Sequence, residues 1–242
     1  MRLTRVYVEE PLSAGGNHVI EGSAANHVAR VLRLREGDAL TLFDGRGGEY
    51  DARITGFRKD AVQVEVREHR AVERESALDL TLAQGISRGE RMDWVVQKAT
   101  ELGVRRIVPV LTERSVVRLD ERQSERKLQH WRGIAIAACE QCGRNQVPEV
   151  TAPANFFAAI RASDVQMMRL LLSPSASLRA RDLPRPTAIT LLIGPEGGLA
   201  DNEEEAAIRA GFKPVQLGPR ILRTETAAIA ALAALQHDFG DL

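Results

Sequence analysis

Two stretches of the sequence combine glycine, proline and charge in a way that could hold a ligand. Residues 191–199 read LLIGPEGGL, and residues 215–227 read VQLGPRILRTETA. In each, an apolar strand leaves through Gly-Pro and enters a helix. Glycine lets the backbone approach a ligand closely, and open parallel sheets bind ligands beyond the carboxyl ends of their strands. The order is that of a phosphate loop, but neither GxxxxGK[ST] nor GxGxxG occurs. Glu196 sits in the first turn, and Glu203, Glu204 and Glu205 crowd the helix start that follows. Acids suit the positive end of a helix dipole but repel phosphate, and Asp201 with Glu204 has the spacing of a capping box. Such loops favour a neutral or cationic ligand over a nucleoside triphosphate. One loop alone would read as a turn ending a strand. Two matched loops at adjacent strand ends predict a ligand site.

Other reactive groups carry less. Cys139-Glu-Gln-Cys142 is a CxxC, but it precedes Gly143 at a helix end. Redox pairs use helix N-termini, and zinc needs two further ligands. The five histidines share no spacing, so no metal is expected. Trp94 and Trp131 lie on apolar helix faces and are expected in the core.

These groups must be positioned by two kinds of element. From Leu40 to about Arg70, ALTLFD, EYDARITGF and AVQVEVREH alternate and are separated by turns. That pattern predicts hairpins in a small β-barrel or sandwich. Ser23 is placed to cap a short helix before them. After residues 70–78, a charged linker, strands alternate with helices, which implies a mostly parallel sheet covered by helices. SRGE reads as a capping box from Ser87 to Glu90. A helix follows it and stops at Gly103, and a long helix spans about Glu121 to Cys142. The last helix, about Glu225 to His237, carries Ala at 227, 228, 230, 231, 233 and 234. It is either buried within the chain or also part of a subunit interface.

The 242 residues are 44% hydrophobic and 27% charged, enough for one large or two small domains. No apolar run reaches the roughly 20 residues of a membrane helix, and MRLTRVYVEEPLS lacks the apolar centre of a secretory signal. Two cysteines cannot build a disulfide framework, so the expected setting is cytoplasmic. Thirty-three basic residues balance thirty-three acidic ones, so bulk charge does not argue for nucleic acid. Only four of the basic residues are Lys. An Arg excess suits bidentate phosphate contacts.

Five segments, in order, resemble a known family: HVARVLRLREGDALTLFDGRGGEY, RGERMDWVVQKATELGVRRIVPVLTERSVV, AIAACEQCGRNQVPEV, LLIGPEGGLADNEE and LGPRILRTETAAIAAL. The chain resembles the ribosomal RNA small subunit methyltransferase E family, 16S ribosomal RNA uridine-N3 methyltransferases of the SPOUT superfamily. The resemblance implies an α/β fold with a SPOUT-type parallel sheet and a C-terminal trefoil knot, preceded by a small PUA-like β-barrel. The RNA-binding barrel would span 1–72 and the methyltransferase domain, with its knotted cofactor site, 77–242. It also implies S-adenosylmethionine held in a bent form, a homodimer joined at the knot, and 16S ribosomal RNA within the small ribosomal subunit as partner.

By position, the implied cofactor site draws on three segments. They are Leu171, Leu172, Ser173 and Pro174; then Ile193, Gly194, Pro195, Glu196, Gly197 and Gly198; then Leu217, Gly218, Ile221, Leu222, Arg223, Thr224, Glu225, Thr226 and Ala227. Relatives often read HPEA where this chain reads Ser173-Pro174-Ser175-Ala176, which removes an imidazole and a carboxylate. For methylation, uridine N3 must lose a proton and spread charge onto O2 and O4, which an Arg could stabilise. Arg223 is the first catalytic candidate, Arg144 the second and Arg88 the third, Arg88 being better read as a phosphate contact or salt bridge. Glu101 and Glu225 are possible proton acceptors. Arg2, Arg5, Arg30, Arg33 and Arg35, with Arg88, are expected to bind RNA phosphates. The competing readings are a ribose 2′-O methyltransferase of the same fold and a non-catalytic ribosome assembly factor.

Overall fold

Alternation decides the first part of the chain. In β5 (Ala61–Arg70), Val62, Val64 and Val66 are buried while Glu65 faces out. β4 (Glu49–Arg58) buries Ala52 and Ile54 on the same side, and the two strands meet through a two-residue turn at Lys59-Asp60. The computed structural model describes residues 4–115 and 119–242. It separates into two units, Met1–Glu75 with Cys139–Val147, and Ser76–Ala138 with Pro148–Leu242.

The first unit adds β1 (Arg5–Tyr7), β2 (Asn17–Glu21) and β3 (Ala39–Phe43) to give one sheet of order β1-β3-β4-β5-β2. Its pairings are antiparallel except β1 with β3. Val6, Ile20, Val28, Leu40, Leu42, Ile54 and Val64 fill the core. The helix α1 (Gly22–Asn26) runs into a π-helical turn, His27–Val31. Ser23 does not cap it: Glu21 holds the N-cap position and no side chain accepts there.

The return of residues 139–147 to this unit has an electrostatic basis. Arg5 is buried and pairs with Glu49, and its Nη2 donates to the Arg144 carbonyl at 3.0 Å and to Asn145 Oδ1 at 2.7 Å. Arg144 in turn donates to Glu75 from Nη2 at 2.6 Å and Nε at 3.0 Å. Buried charges of this kind are tolerated only when paired and hydrogen-bonded.

In the second unit the strands are β6 (Asp79–Gly85), β7 (Arg106–Leu111), β8 (Glu149–Val150), β9 (Ala154–Asn155), β10 (Met168–Leu172), β11 (Ala188–Ile193) and β12 (Lys213–Val215). The sheet runs β12-β10-β11-β6-β7-β8, with β9 also on β7, and every pairing is parallel. Largely apolar runs such as AITLLI, broken only by the buried Thr190, are what a sheet covered on both faces requires. The helices are α2 (Glu90–Glu101), α3 (Glu121–Cys142), α4 (Phe156–Ala162), α5 (Asp201–Arg209) and α6 (Thr224–Phe239). α3 ends in the first unit.

Several helix ends differ from expectation. α2 starts after Gly89 with no side-chain cap, and Ser87 Oγ donates instead to the Gly85 carbonyl. At the other end Gly103 has φ +79 and lies where a Cβ would be 2.7 Å from Gln236 Nε2. That amide donates to the Leu102 carbonyl at 2.8 Å, so α6 closes the end of α2. α5 is capped by Glu203, whose Oε2 accepts from the Ala200 N–H at 3.0 Å, rather than by Asp201 with Glu204. Trp131 is buried and donates to Asp93 Oδ1, whereas Trp94 is 59% exposed. α6 buries Ala227, Ala228, Ala231, Leu232 and Leu235 within the chain, while Ala230, Ala233 and Ala234 stay half-buried.

Candidate active site

The two Gly-Pro loops do not leave adjacent strands. β10 lies between β11 and β12, because β12 pairs with the outer edge of β10. Three loops therefore converge at the carboxyl ends of three parallel strands, after β10, β11 and β12. Between them is a cavity of about 480 Å³, within the roughly 300–1,000 Å³ of small-molecule sites.

Close backbone packing forms its floor. Gly85 ends β6 where a Cβ would sit 2.5 Å from the Pro195 nitrogen. Gln84 is fully buried, and its Nε2 donates to Thr224 Oγ1 at 3.0 Å and to the Gly85 carbonyl. Thr224 Oγ1 then donates to the Gly194 carbonyl at 2.7 Å. The β11 loop and the start of α6 are thereby locked together.

Of the residues assigned to cofactor binding, Leu171, Leu172, Ser173, Pro174, Ile193, Gly194, Pro195, Glu196, Gly198, Leu217, Gly218, Ile221, Leu222, Arg223, Thr224 and Ala227 line this cavity. Gly197, Glu225 and Thr226 do not. The Gly197 carbonyl faces Arg114 Nη1 at 3.4 Å, and Glu225 Oε1 lies 3.9 Å from Arg91 Nε. The wall also contains Arg91, Arg114, Leu199, Asp201, Glu204, Gln216 and Arg220. Gln216 and Arg220 lie inside the second Gly-Pro segment and could have been included from it. Arg91 and Arg114 come from α2 and from the loop after β7, and no local pattern marks them.

The acids are less repulsive than their sequence suggests. Glu196 Oε1 accepts from the Arg88 N–H and from Arg91 Nη1, both at 2.9 Å. Burial pushes its carboxyl up, but these hydrogen bonds and the Arg91 charge outweigh that and hold its pKa below the ordinary value. Glu203 turns inward, accepting from Ala200 and from the Glu113 N–H at 2.8 Å. Glu205 pairs with Arg209 on the surface. Glu204 does reach the cavity. Its Oε1 accepts from the buried Ser173 hydroxyl at 2.8 Å, and Ser175 Oγ is 2.9 Å from that hydroxyl. A carboxylate thus returns beside Ser173, supplied by α5. With Arg91, Arg114, Arg220 and Arg223 on the same wall, the acids alone do not exclude phosphate.

The remaining candidates are dispersed. Arg223 is exposed on the cavity wall as the N-cap of α6. Arg144 belongs to the first unit and is engaged by Glu75. Glu101 is paired with Lys98 at 2.8 Å. Arg88 is exposed beside Glu196. Arg5, expected to hold phosphate, is 7% exposed and committed to Glu49, so it is not a phosphate ligand. Arg30, Arg33 and Arg35 are exposed, and Arg33 adopts φ +54, which is rare outside glycine. Arg2 lies outside the described residues. Cys139 is buried, and burial, only partly opposed by Arg144, pushes its thiol up to about 12.

A family model for an RNA methyltransferase domain matches residues 74–236, and one for an RNA methyltransferase PUA domain matches 20–67. Ribosomal RNA small subunit methyltransferase E of Buchnera aphidicola from Acyrthosiphon pisum is 33% identical over 99% of this chain and 95% of its own. A Legionella pneumophila structure in complex with bound cofactor SAM is 44% identical, with TM-score 0.97 over the whole of both chains. A Neisseria gonorrhoeae ribosomal RNA small subunit methyltransferase E bound to S-adenosylmethionine is 40% identical, with TM-score 0.93, again over both whole chains.

Proposed function

The chain belongs to the ribosomal RNA small subunit methyltransferase E family, and from that premise we propose that it methylates N3 of a uridine in 16S ribosomal RNA, using S-adenosylmethionine. The observation that carries this reading is the cavity at the carboxyl ends of β10, β11 and β12, with Arg223 on its wall. Leu171, Ile193, Leu199 and Leu217 suit a purine face, while Glu204 and backbone groups suit the polar parts of the cofactor. No phosphate cradle is needed. Bound there, S-adenosylmethionine supplies an electrophilic methyl group.

The chain's own residues prepare the acceptor. Arg223 offsets the negative charge that spreads over O2 and O4 as N3 loses its proton. Glu225 is the better of the two proposed proton acceptors. Its Oε2 is buried without a hydrogen-bond partner among the described residues and its Oε1 lies 3.9 Å from Arg91 Nε, whereas Glu101 is held by Lys98 at 2.8 Å. N3 lies on the pairing edge, so the uridine reacts unpaired or splayed out.

The same reading assigns RNA binding to 1–72 and the SPOUT methyltransferase domain to 77–242. The exposed Arg30, Arg33 and Arg35 support the first assignment. A trefoil knot in the second is supported by the path of the chain. It leaves β12 at the sheet edge and returns to pack α6 on α2 and β11, with Thr224 on Gly194. The same reading includes a homodimer joined at the knot. The setting of its substrate would be the bacterial cytoplasm.

Digestion and mass mapping of 16S RNA, from cells with and without the gene, tests the reaction. Loss of one base-methylated uridine is expected. Loss of a ribose methyl instead would assign 2′-O chemistry. No change, with no heat of S-adenosylmethionine binding by calorimetry, would leave an assembly factor.

A further inference from the structure

We propose that Glu204 contacts the cofactor, its carboxylate taking a hydrogen-bond donor of the ligand, and that Ser173 is its positioning residue. This rests on the S-adenosylmethionine reading above. Of the acids at 203–205, Glu203 is turned inward and Glu205 is on the surface. Only Glu204 lines the cavity, half-buried.

Its orientation is set by a directional relay. A carboxylate only accepts, so the proton between Ser173 Oγ and Glu204 Oε1 belongs to Ser173. The Ser175 hydroxyl must then donate to Ser173 Oγ across their 2.9 Å separation. Ser173 is 3% exposed at the end of β10, so it is a fixed anchor. Glu204 Oε2 accepts no hydrogen bond and forms no ion pair among the described residues. Of the cations on the same wall, Arg91 pairs with Glu196 and Arg114 lies 3.6 Å from Asp201, while Arg220 and Arg223 form no ion pair with Glu204 among the described residues. With Oε1 held by Ser173, Oε2 is left open to a donor of a ligand in the cavity. S-adenosylmethionine has three suitable groups, the ribose diol and the adenine 6-amino group of its adenosine part and the α-ammonium of its methionine part.

Calorimetry on wild type, Glu204→Ala, Glu204→Gln and Ser173→Ala tests this, with two probes. S-adenosylmethionine carries all three donor groups, while 5′-methylthioadenosine keeps the diol and the 6-amino group and lacks the ammonium. Glu204→Ala should weaken S-adenosylmethionine about tenfold or more, without lowering the melting temperature of the ligand-free protein. Equal weakening of both probes assigns the contact to the adenosine part, and weakening of S-adenosylmethionine alone assigns it to the cationic methionine part. Glu204→Gln, which keeps the shape, should show a smaller loss for a neutral adenosine donor and nearly the full loss for the ammonium. Ser173→Ala should cost less than Glu204→Ala, and the double variant no more than Glu204→Ala alone. Unchanged affinity in Glu204→Ala overturns the role of Glu204, and additive losses overturn that of Ser173. A wild-type chain binding neither probe would overturn the cofactor reading itself.

Discussion

The hydroxyl of Thr224 donates to the carbonyl of Gly194 at 2.7 Å while accepting from Gln84 Nε2 at 3.0 Å. One side chain thus joins the end of β6, the loop after β11 and the first turn of α6. Thr224→Val keeps the volume and deletes both bonds. It should cost about 1–3 kcal/mol in denaturant unfolding, since buried partners are left unsatisfied. Thr224→Ser should recover most of that.

Arg223→Ala should reduce methyl transfer roughly 10²–10³-fold, the usual loss when one charge-stabilising donor is removed. Arg223 is exposed, so circular dichroism and the unfolding midpoint should stay at wild-type values. Wild-type turnover with 16S RNA would remove it from the mechanism.

Glu49 predicts an acid-sensitive element in the first unit. Burial pushes its carboxyl up, but Arg5 and then Arg74 outweigh that and hold its pKa below the ordinary value. A depressed folded-state pKa contributes stability that is complete above the unfolded value and lost as pH falls through the folded one. Glu49→Ala should therefore cost about 3 kcal/mol or more near neutrality. The gap to wild type should narrow below the normal carboxylate range, as unfolding titrations at several pH values would reveal.

In the proposed reading, Arg30, Arg33 and Arg35 each supply one phosphate contact. Converting all three to Ala should flatten the slope of log affinity against log salt by about 2, at roughly 0.7 per contact on single-stranded RNA. An unchanged slope would move RNA binding elsewhere. Arg33→Gly should also relieve the left-handed backbone at φ +54 and raise stability slightly, since glycine adopts it freely.

Cys139 should resist iodoacetamide at pH 8 in the native protein, because its thiol is buried and pushed up to about 12. It should react once the chain is unfolded in urea. Peptide mapping before and after unfolding distinguishes this from a reactive CxxC.

Much of this was legible from residues alone. Alternation in AVQVEVREH, the glycine stop after ATEL, and the span from Glu121 to Cys142 are local signals, and each element formed where they indicated. Capping was less legible. Ser87 and Glu204 had suitable spacing, but Gly85 and Ser173 took their hydrogen bonds instead. The second Gly-Pro segment named Leu217, Gly218 and Arg223 but could not reach Arg91 or Arg114.

By itself the sequence determined the longer elements, though not β1, β2, β8 and β9, together with the two matched loops and the family, because periodicity, glycine stops and ordered motifs need no knowledge of neighbours. Only the tertiary structure decided that β10 separates β11 from β12, that Arg91 pairs with Glu196, and that Ser173 donates to Glu204 beside the cavity. Strand order in a parallel sheet is chosen by which faces bury together, and contacts between distant residues follow from that choice rather than from local spacing.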